Sequence, residues 1–296
     1  MTAERAPAPT DAGYDRGAHS PCIGICVLDE ASGLCTGCAR TGVEVAEWMT
    51  ASAGDRAAIW DALPARASDM RLTRRLLPWS PEGIHAWARD QLRDASGTWM
   101  IGRGEAAGAF ASDLTQPIDV ADYGNALVAR QDGAALRLAL HEKTRAFAFG
   151  PAASPDLIVL ALPKGRVSFA AAETLQALGP DEGAVGPDER RHDAFDLGYG
   201  VDGARVLLRT SDPGVRGSLK VAAREGLSPM ARAMTLGMTM AGTAAVHETE
   251  GARIERSRAL RADETAAAAA INARLAHVEL PGWAAVVATF QPAPGR

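Results

Sequence analysis

The sequence predicts an α+β protein, in which a small two-helix N-terminal module stapled by a metal precedes a larger domain with a mainly antiparallel sheet and flanking helices. Three observations in the 296 residues point to this class. All four cysteines fall within residues 22–38. From residue 98 onward, short apolar runs are separated by turns that contain glycine, and helical periodicity marks segments towards both ends of the chain. Strands that come in hairpins, rather than alternating with helices, indicate α+β and not a parallel α/β sheet.

The composition is that of a globular protein. Hydrophobic residues make up 47% of the chain and charged residues 23%, which excludes a mainly disordered or collagen-like chain. The formal net charge of −5 argues against nucleic acid or an anionic membrane as the main partner. No stretch approaches the ~20 apolar residues that span a bilayer. The first twenty residues have no apolar core, so we expect no signal peptide and a cytoplasmic location.

Residues 21–66 form the predicted N-terminal module, and residues 1–20 are predicted to be a disordered tail. The apolar spacing predicts a short helix over residues 43–49. Ser52 is the expected cap of a second helix, which we expect Pro64 to end. Two short helices and a cysteine loop bury too little core to be stable alone, so a staple is expected.

Residues 67–79, part of which could be helical, are predicted to link the module to the α+β domain of residues 80–296. Ser80 is the expected N-cap of a helix that has Pro81 at its first position and ends before Gly97.

The domain is predicted to contain several hairpins and further helices. One strand is almost wholly apolar, at residues 157–162, and is expected to be central in its sheet. The predicted strands cover residues 99–101, 109–111, 125–130, 134–140, 146–149, 157–162, 195–197, 205–209 and 283–290. The predicted helices cover residues 170–178, 216–225, 230–240 and 264–276.

The cysteines follow the pattern Cys22-x3-Cys26-x8-Cys35-x2-Cys38. Four thiolates complete a tetrahedral shell around zinc or hold an iron–sulfur cluster, and the ligand type does not separate the two. Four protein ligands leave no open coordination position, which disfavours water activation by zinc. A thiol redox pair or two disulfides are the alternatives, although structural disulfides are rare in a reducing cytosol. The spacing therefore predicts a metal or cluster on all four cysteines.

Three segments carry a family resemblance: SPCIGICVLD at residues 20–29, GLCTGCART at residues 33–41 and EVAEW at residues 44–48. Over residues 20–66 the chain resembles the small bacterial domain-of-unknown-function family 1289, a family described as predicted iron–sulfur proteins. The resemblance brings no established activity. It implies a metal or cluster on Cys22, Cys26, Cys35 and Cys38.

The α+β domain is similar to an uncharacterised proteobacterial domain. The similar segments are residues 99–102, 178–184, 195–198 and 209–212, with a closing Gly-Trp at 282–283.

Other motifs carry less information. Residues 21–63 have a net charge of −4, whereas a nucleic-acid-binding zinc knuckle needs a basic face. Gly102, Gly104 and Gly108 are spaced one residue too widely for the dinucleotide fingerprint and precede a predicted strand, which favours a glycine-rich turn. The chain contains neither a His-Glu-x-x-His nor a Gly-x-Ser-x-Gly motif.

Three functions therefore stay open. The first, which we favour, is a binding or adaptor protein in which the cysteine-ligated metal stabilises the module and the α+β domain binds a protein partner or a small ligand. The second is an iron–sulfur protein of electron transfer or redox sensing. The third is an enzyme with an unrecognised active site in the α+β domain.

Overall fold

The computed structural model of the chain describes residues 19–104, 107–111, 116–131, 133–151, 154–164, 176–180, 193–199, 204–225, 243–257 and 260–293. The helices of this part are α1 (Gly42–Ala46), α2 (Ala53–Asp69), α3 (Pro81–Arg93), α4 (Pro213–Arg224) and α5 (Ala262–Leu275). The strands are β1 (Arg74–Leu76), β2 (Gly97–Ile101), β3 (Gly108–Ala111), β4 (Asp119–Asp122), β5 (Ala126–Gln131), β6 (Ala134–Ala139), β7 (Arg145–Phe149), β8 (Leu157–Pro163), β9 (Gln176–Pro180), β10 (Asp193–Tyr199), β11 (Arg205–Thr210), β12 (Thr243–Glu248), β13 (Ala252–Arg256) and β14 (Ala284–Pro292).

The described strands lie in two antiparallel sheets, which confirms the α+β class. The chain divides into two compact units. The first comprises Met1–Gly97, Leu140–Lys164 and His277–Arg296, and the second comprises Thr98–Ala139 and Gly165–Ala276. None of the described helices is long and apolar enough to cross a membrane. The predicted boundaries at residues 20, 66 and 79 stay predictions, and residues 1–18 lie outside the described residues.

Both helices of the N-terminal module begin at capping boxes. Thr41 and Glu44 exchange side-chain and backbone hydrogen bonds at the start of α1, and Ser52 and Asp55 do the same at the start of α2. These reciprocal bonds satisfy N–H groups that the first turn of a helix leaves unpaired. The predicted cap at Ser52 is confirmed.

The expectation that Pro64 ends α2 is wrong, because the helix continues to Asp69 with Pro64 inside it. A proline in a helix removes one backbone hydrogen bond. The buried side chains of α2 are Trp60, Leu63 and Ala67, one stripe that spans the proline. Packing of this stripe outweighs the local preference to stop.

An ion pair ties the two helices of the module together. Arg66 of α2 donates from Nη1 to Glu44 Oε2 at 2.7 Å and from Nη2 to Glu44 Oε1 at 3.1 Å. Burial acts to raise the pKa of Glu44, but the hydrogen bonds from Arg66 and the Thr41 N–H outweigh it and hold that pKa below its ordinary value.

A Glu44→Gln variant is expected to lower the free energy of unfolding at neutral pH by about 1–2 kcal/mol, because it replaces the charged partner of a bidentate ion pair with a neutral amide, whose oxygen can still accept from the Thr41 N–H. A carboxylate with a lowered pKa contributes stability that is present above its unfolded-state pKa and is lost as the pH falls through the folded-state pKa. The two proteins should therefore converge in acid, which urea unfolding between neutral and acidic pH would measure. Glu47→Gln, at an exposed position, is the control and should change little; parallel pH profiles for Glu44→Gln and wild type would contradict the assignment.

In the first unit, β1, β7, β8 and β14 lie in this order in an antiparallel sheet. All residues of β8 except the last are buried, which confirms its predicted central position. Ser80 caps α3 and Pro81 is its first residue, as predicted. The Trp87 ring of α3 contacts Trp79, at 5.1 Å between centroids, and Phe290 of β14, at 5.3 Å.

The second unit contains the β2–β3 hairpin and an eight-stranded sheet in the order β4-β5-β6-β13-β12-β11-β10-β9. The predicted hairpin of β5 and β6 and the pair of β10 and β11 are confirmed. Gly102 and Gly104 have φ values of 71° and 65° and lie between β2 and β3, as expected for a glycine-rich turn. The helices predicted over residues 216–225 and 264–276 are confirmed as α4 and α5.

The helix predicted over residues 170–178 is wrong where the structure describes it, because residues 176–180 form β9 and pair with β10. Backbone pairing with an existing strand overrides the helix propensity of this short segment. Four further strands were not predicted: β1, β4, β12 and β13. The predicted helix over residues 230–240 lies outside the described residues.

Candidate metal centre

The cysteine loop is held in shape by its own backbone. An antiparallel bridge joins Leu28 to Cys35, and the Cys35 N–H donates to the Arg40 carbonyl at 2.7 Å. Ala39 has a φ of 60°, a left-handed conformation that non-glycine residues seldom adopt. The Ala39 N–H donates to the Cys35 carbonyl at 2.8 Å. These bonds turn the chain back on itself around Cys35 and Cys38.

The four predicted ligands, called the thiol cluster below, lie in the cysteine loop as two pairs of neighbours, and not as a formed metal shell. Cys35 and Cys38 are buried, Cys22 is half-buried and Cys26 is exposed, and all four are free. The Cys22 thiol affects the ionisation of Cys26, and the Cys38 thiol affects that of Cys35. Cys26 also interacts electrostatically with Cys35, which connects the two halves of the cluster.

The thiols do not ionise equally. Burial and the neighbouring thiols Cys22 and Cys35 raise the pKa of Cys26. Burial also raises the pKa of Cys38. Burial acts in the same direction on Cys35, but backbone hydrogen bonds at Gly37 and Cys38 outweigh it and lower the pKa of Cys35. Adjacent thiolates repel one another, so the whole set ionises readily only beside a cation.

A buried arginine lies against the cluster. Arg40 is 2% exposed, donates from Nε to Cys38 Sγ at 3.4 Å and places its guanidinium 4.9 Å from the centre of the Trp48 ring. Its buried Nη1 makes no hydrogen bond. None of the carboxylates in the described part of the chain forms an ion pair with Arg40. A buried charge without an opposite charge is strongly unfavourable. The buried Arg40 guanidinium would therefore be stabilised by negative charge on the thiols.

Four cysteine thiols are a suitable set of donor atoms for a metal ion. Four cysteine thiolates around a divalent ion carry a net charge of −2, which would compensate Arg40. Within the described residues, no three Cys, His, Asp or Glu side chains form a group that could hold a metal as they stand. Coordination would therefore require the thiols to turn towards a common point.

An apolar cavity of about 60 Å³ lies beside Cys38. Apolar walls exclude water and strengthen electrostatic interactions next to them. The cavity is lined by Pro21, Cys38, Trp60, Leu63, Pro64, Ala67, Leu72, Arg75, Leu76, Leu77 and Pro78.

The burial of Cys35 and Cys38 argues against the alternative that these two thiols form a redox-active pair. A redox-active cysteine is a thiolate within reach of its oxidant. Cys35 and Cys38 are only 1% and 6% exposed, which disfavours exchange chemistry at this pair. All four cysteines are free in the structure, and the alternative of two disulfides stays a prediction.

The sequence did not single out Arg40. The only signal was an arginine two residues beyond the last cysteine in an otherwise acidic module. His247 and Glu248, which belong to no sequence motif, both lie in β12, and Glu248 is paired with Arg205 and Arg253.

Comparison with known families places both parts of the chain. Residues 20–67 match a family described as protein of unknown function (DUF1289), which confirms the N-terminal resemblance. Residues 83–277 match a family of unknown function (DUF6925), in agreement with an uncharacterised domain. No curated protein and no solved structure matches the chain. Residues 20–67 are similar to DUF1289, and because the second match covers more than half of its residues, the chain belongs to the DUF6925 family.

Proposed function

We propose that this protein is a metal-binding adaptor, in which Cys22, Cys26, Cys35 and Cys38 hold a metal that stabilises the N-terminal module. The α+β domain then binds a protein partner or a small ligand. The observation that carries the proposal is buried Arg40, hydrogen-bonded to Cys38 Sγ.

The argument is electrostatic. Four neutral thiols offer the Arg40 guanidinium no negative charge, and its other close neighbour is the uncharged Trp48 ring. Attraction between an aromatic ring and a cation is worth about 2 kcal/mol when both are desolvated. Burying a charge without an oppositely charged partner costs more, on the order of several kcal/mol. Four metal-bound thiolates would make up the difference. A filled shell has no open position, so the metal would act on stability rather than on a substrate.

A second candidate is an iron–sulfur protein that transfers electrons or senses oxidants, and the exposure of Cys26 favours it. A cluster with one ligand at the protein surface is close to any redox partner. Both candidates use the same four thiolates.

Purification without oxygen, followed by metal analysis and a visible spectrum, separates the two candidates. One zinc per chain without colour supports the stapled adaptor, and iron with sulfide and a visible thiolate-to-iron absorption supports the second candidate. Protein that binds neither metal, after reconstitution with each under reducing conditions, would contradict both.

An Arg40→Met variant is expected to weaken metal binding by about 10–100-fold, the usual effect of losing a group that supports a ligand. The metal-free form should be as stable as wild type or more stable, because a buried unpaired charge has been replaced by an apolar side chain. Competition with a coloured chelator measures the affinity, and thermal unfolding with and without chelator measures the stability.

Arg56→Met is the matched control, because the Arg56 guanidinium also lies over the Trp48 ring, at 5.6 Å, without a hydrogen bond to a thiol. It should leave the metal affinity unchanged. Equal affinities for Arg40→Met and wild type would show that Arg40 does not compensate the thiolates.

A further inference from the structure

One face of the eight-stranded sheet carries a row of ion pairs. Each charged side chain in the row contacts the next across or along neighbouring strands. The row runs Asp196–Arg205–Glu248–Arg253–Glu255–Arg209, with successive N···O distances of 3.1, 3.5, 3.3, 2.6 and 2.6 Å.

The carboxylates of this row are already paired with arginines. Both oxygens of Glu248 and both oxygens of Glu255 accept from arginines. The Glu255 and Arg209 side chains are 4% and 0% exposed. Buried ion pairs are poor sources of stability compared with apolar packing. The row therefore fixes charged groups in place without leaving a carboxylate able to bind a further cation.

A cavity of about 200 Å³ opens beside Glu255, the last carboxylate of the row. Ala135 lies directly opposite Glu255 in register, and Ala244 also lines the cavity. These small side chains leave space between longer charged neighbours. Arg130 and Ser257 line the same cavity, and Arg130 is directly opposite Ala135 in register.

Two arginines, Arg130 and Arg256, and one carboxylate, Glu255, line the cavity, and both oxygens of Glu255 are already held by Arg209 and Arg253. The closest carboxylate contact of Arg130 is Asp119 at 3.9 Å, and the Asp119 side chain is 76% exposed, which makes this a weak pair. Arg137 is directly opposite Arg253 in register, and like charges in this arrangement disfavour strand pairing. Arg137 is exposed and forms no ion pair with any residue that the structure describes. The surface at this point thus has guanidinium groups that an anion would stabilise.

We propose that this cavity binds a small oxyanion, a carboxylate or phosphate group of a small molecule, through the Arg130 guanidinium. Guanidinium groups bind such planar or tetrahedral oxyanions with two parallel hydrogen bonds. Arg137 adds to the attractive field, and the cavity over Ala135 and Ala244 receives the rest of the molecule. This inference does not depend on the metal centre.

Isothermal titration of the full-length protein at low salt, with inorganic phosphate and separately with succinate, tests the proposal. We expect one site per chain for at least one of the two anions and weaker binding as salt is raised. Binding of phosphate alone or succinate alone identifies the group that is recognised. Arg130→Gln should weaken binding about tenfold, the effect of losing one charged hydrogen-bonding group, and Ala135→Leu should abolish it by filling the cavity.

Arg224→Gln is the matched control, since it removes the same charge from an exposed position in the last turn of α4 and should bind as wild type does. Thermal unfolding checks that Ala135→Leu is folded; if it is not, Arg130→Gln alone decides. Failure of wild type to bind either anion, or unchanged binding by Arg130→Gln, would overturn the proposal.

Discussion

A Cys35→Ser variant is expected to lose its metal and to destabilise the N-terminal module. Cys35 is 1% exposed and lies at the centre of the loop, where its N–H, carbonyl and thiol are all engaged. Its thiol donates to the Ile25 carbonyl at 3.1 Å, and a serine hydroxyl can keep that bond. The substitution therefore removes a metal ligand with little other change. Affinity should fall by more than about a hundredfold, the upper end of the effect of losing a group that only supports a ligand.

The measurement is metal content per chain, combined with unfolding in the presence and absence of chelator. Binding energy at a structural site is folding energy, so chelator should destabilise wild type and leave Cys35→Ser unchanged. Metal-free wild type and the variant should then unfold alike. Thr36→Val is the control. The Thr36 hydroxyl donates to the Val27 carbonyl in the same loop, and the variant should keep its metal. A Cys35→Ser protein that retains one metal per chain would exclude Cys35 as a ligand.

Local signals made part of the fold predictable. The caps at Ser52 and Ser80 act on the N–H groups that immediately follow them, so a few residues determine where those helices begin. Hairpins such as β5–β6 are equally local, because a short turn fixes the pairing of its two strands. The cysteines were recognisable for the same reason, since all four fall within residues 22–38.

Features that depend on distant contacts were not predictable. β12 and β13 were not predicted, because they carry charged residues, yet Glu248 and Arg253 lie opposite each other across the two strands. Pro64 stays in a helix because of what α2 buries. The importance of Arg40 follows from its burial, which exists only once the module has folded.

An Arg209→Met variant is expected to lower the free energy of unfolding by about 3–5 kcal/mol, the usual effect of removing one partner of a buried ion pair. The Arg209 guanidinium lies 2.6 Å from Glu255 Oε2, and the two side chains are 0% and 4% exposed. Its loss leaves a buried carboxylate with Arg253 alone. At about 2–4 °C per kcal/mol for a chain of this size, the melting temperature should fall by about 6–20 °C.

The double variant Arg209→Met/Glu255→Leu should recover much of that loss, because it removes both charges and leaves Arg253 paired with Glu248. Arg224→Gln, at an exposed position, should stay within about 0.5 kcal/mol of wild type. A double variant as unstable as the single one would mean that the stability lies in the packing of these side chains and not in their charges. Recovery would instead mean that the charges are dispensable for folding.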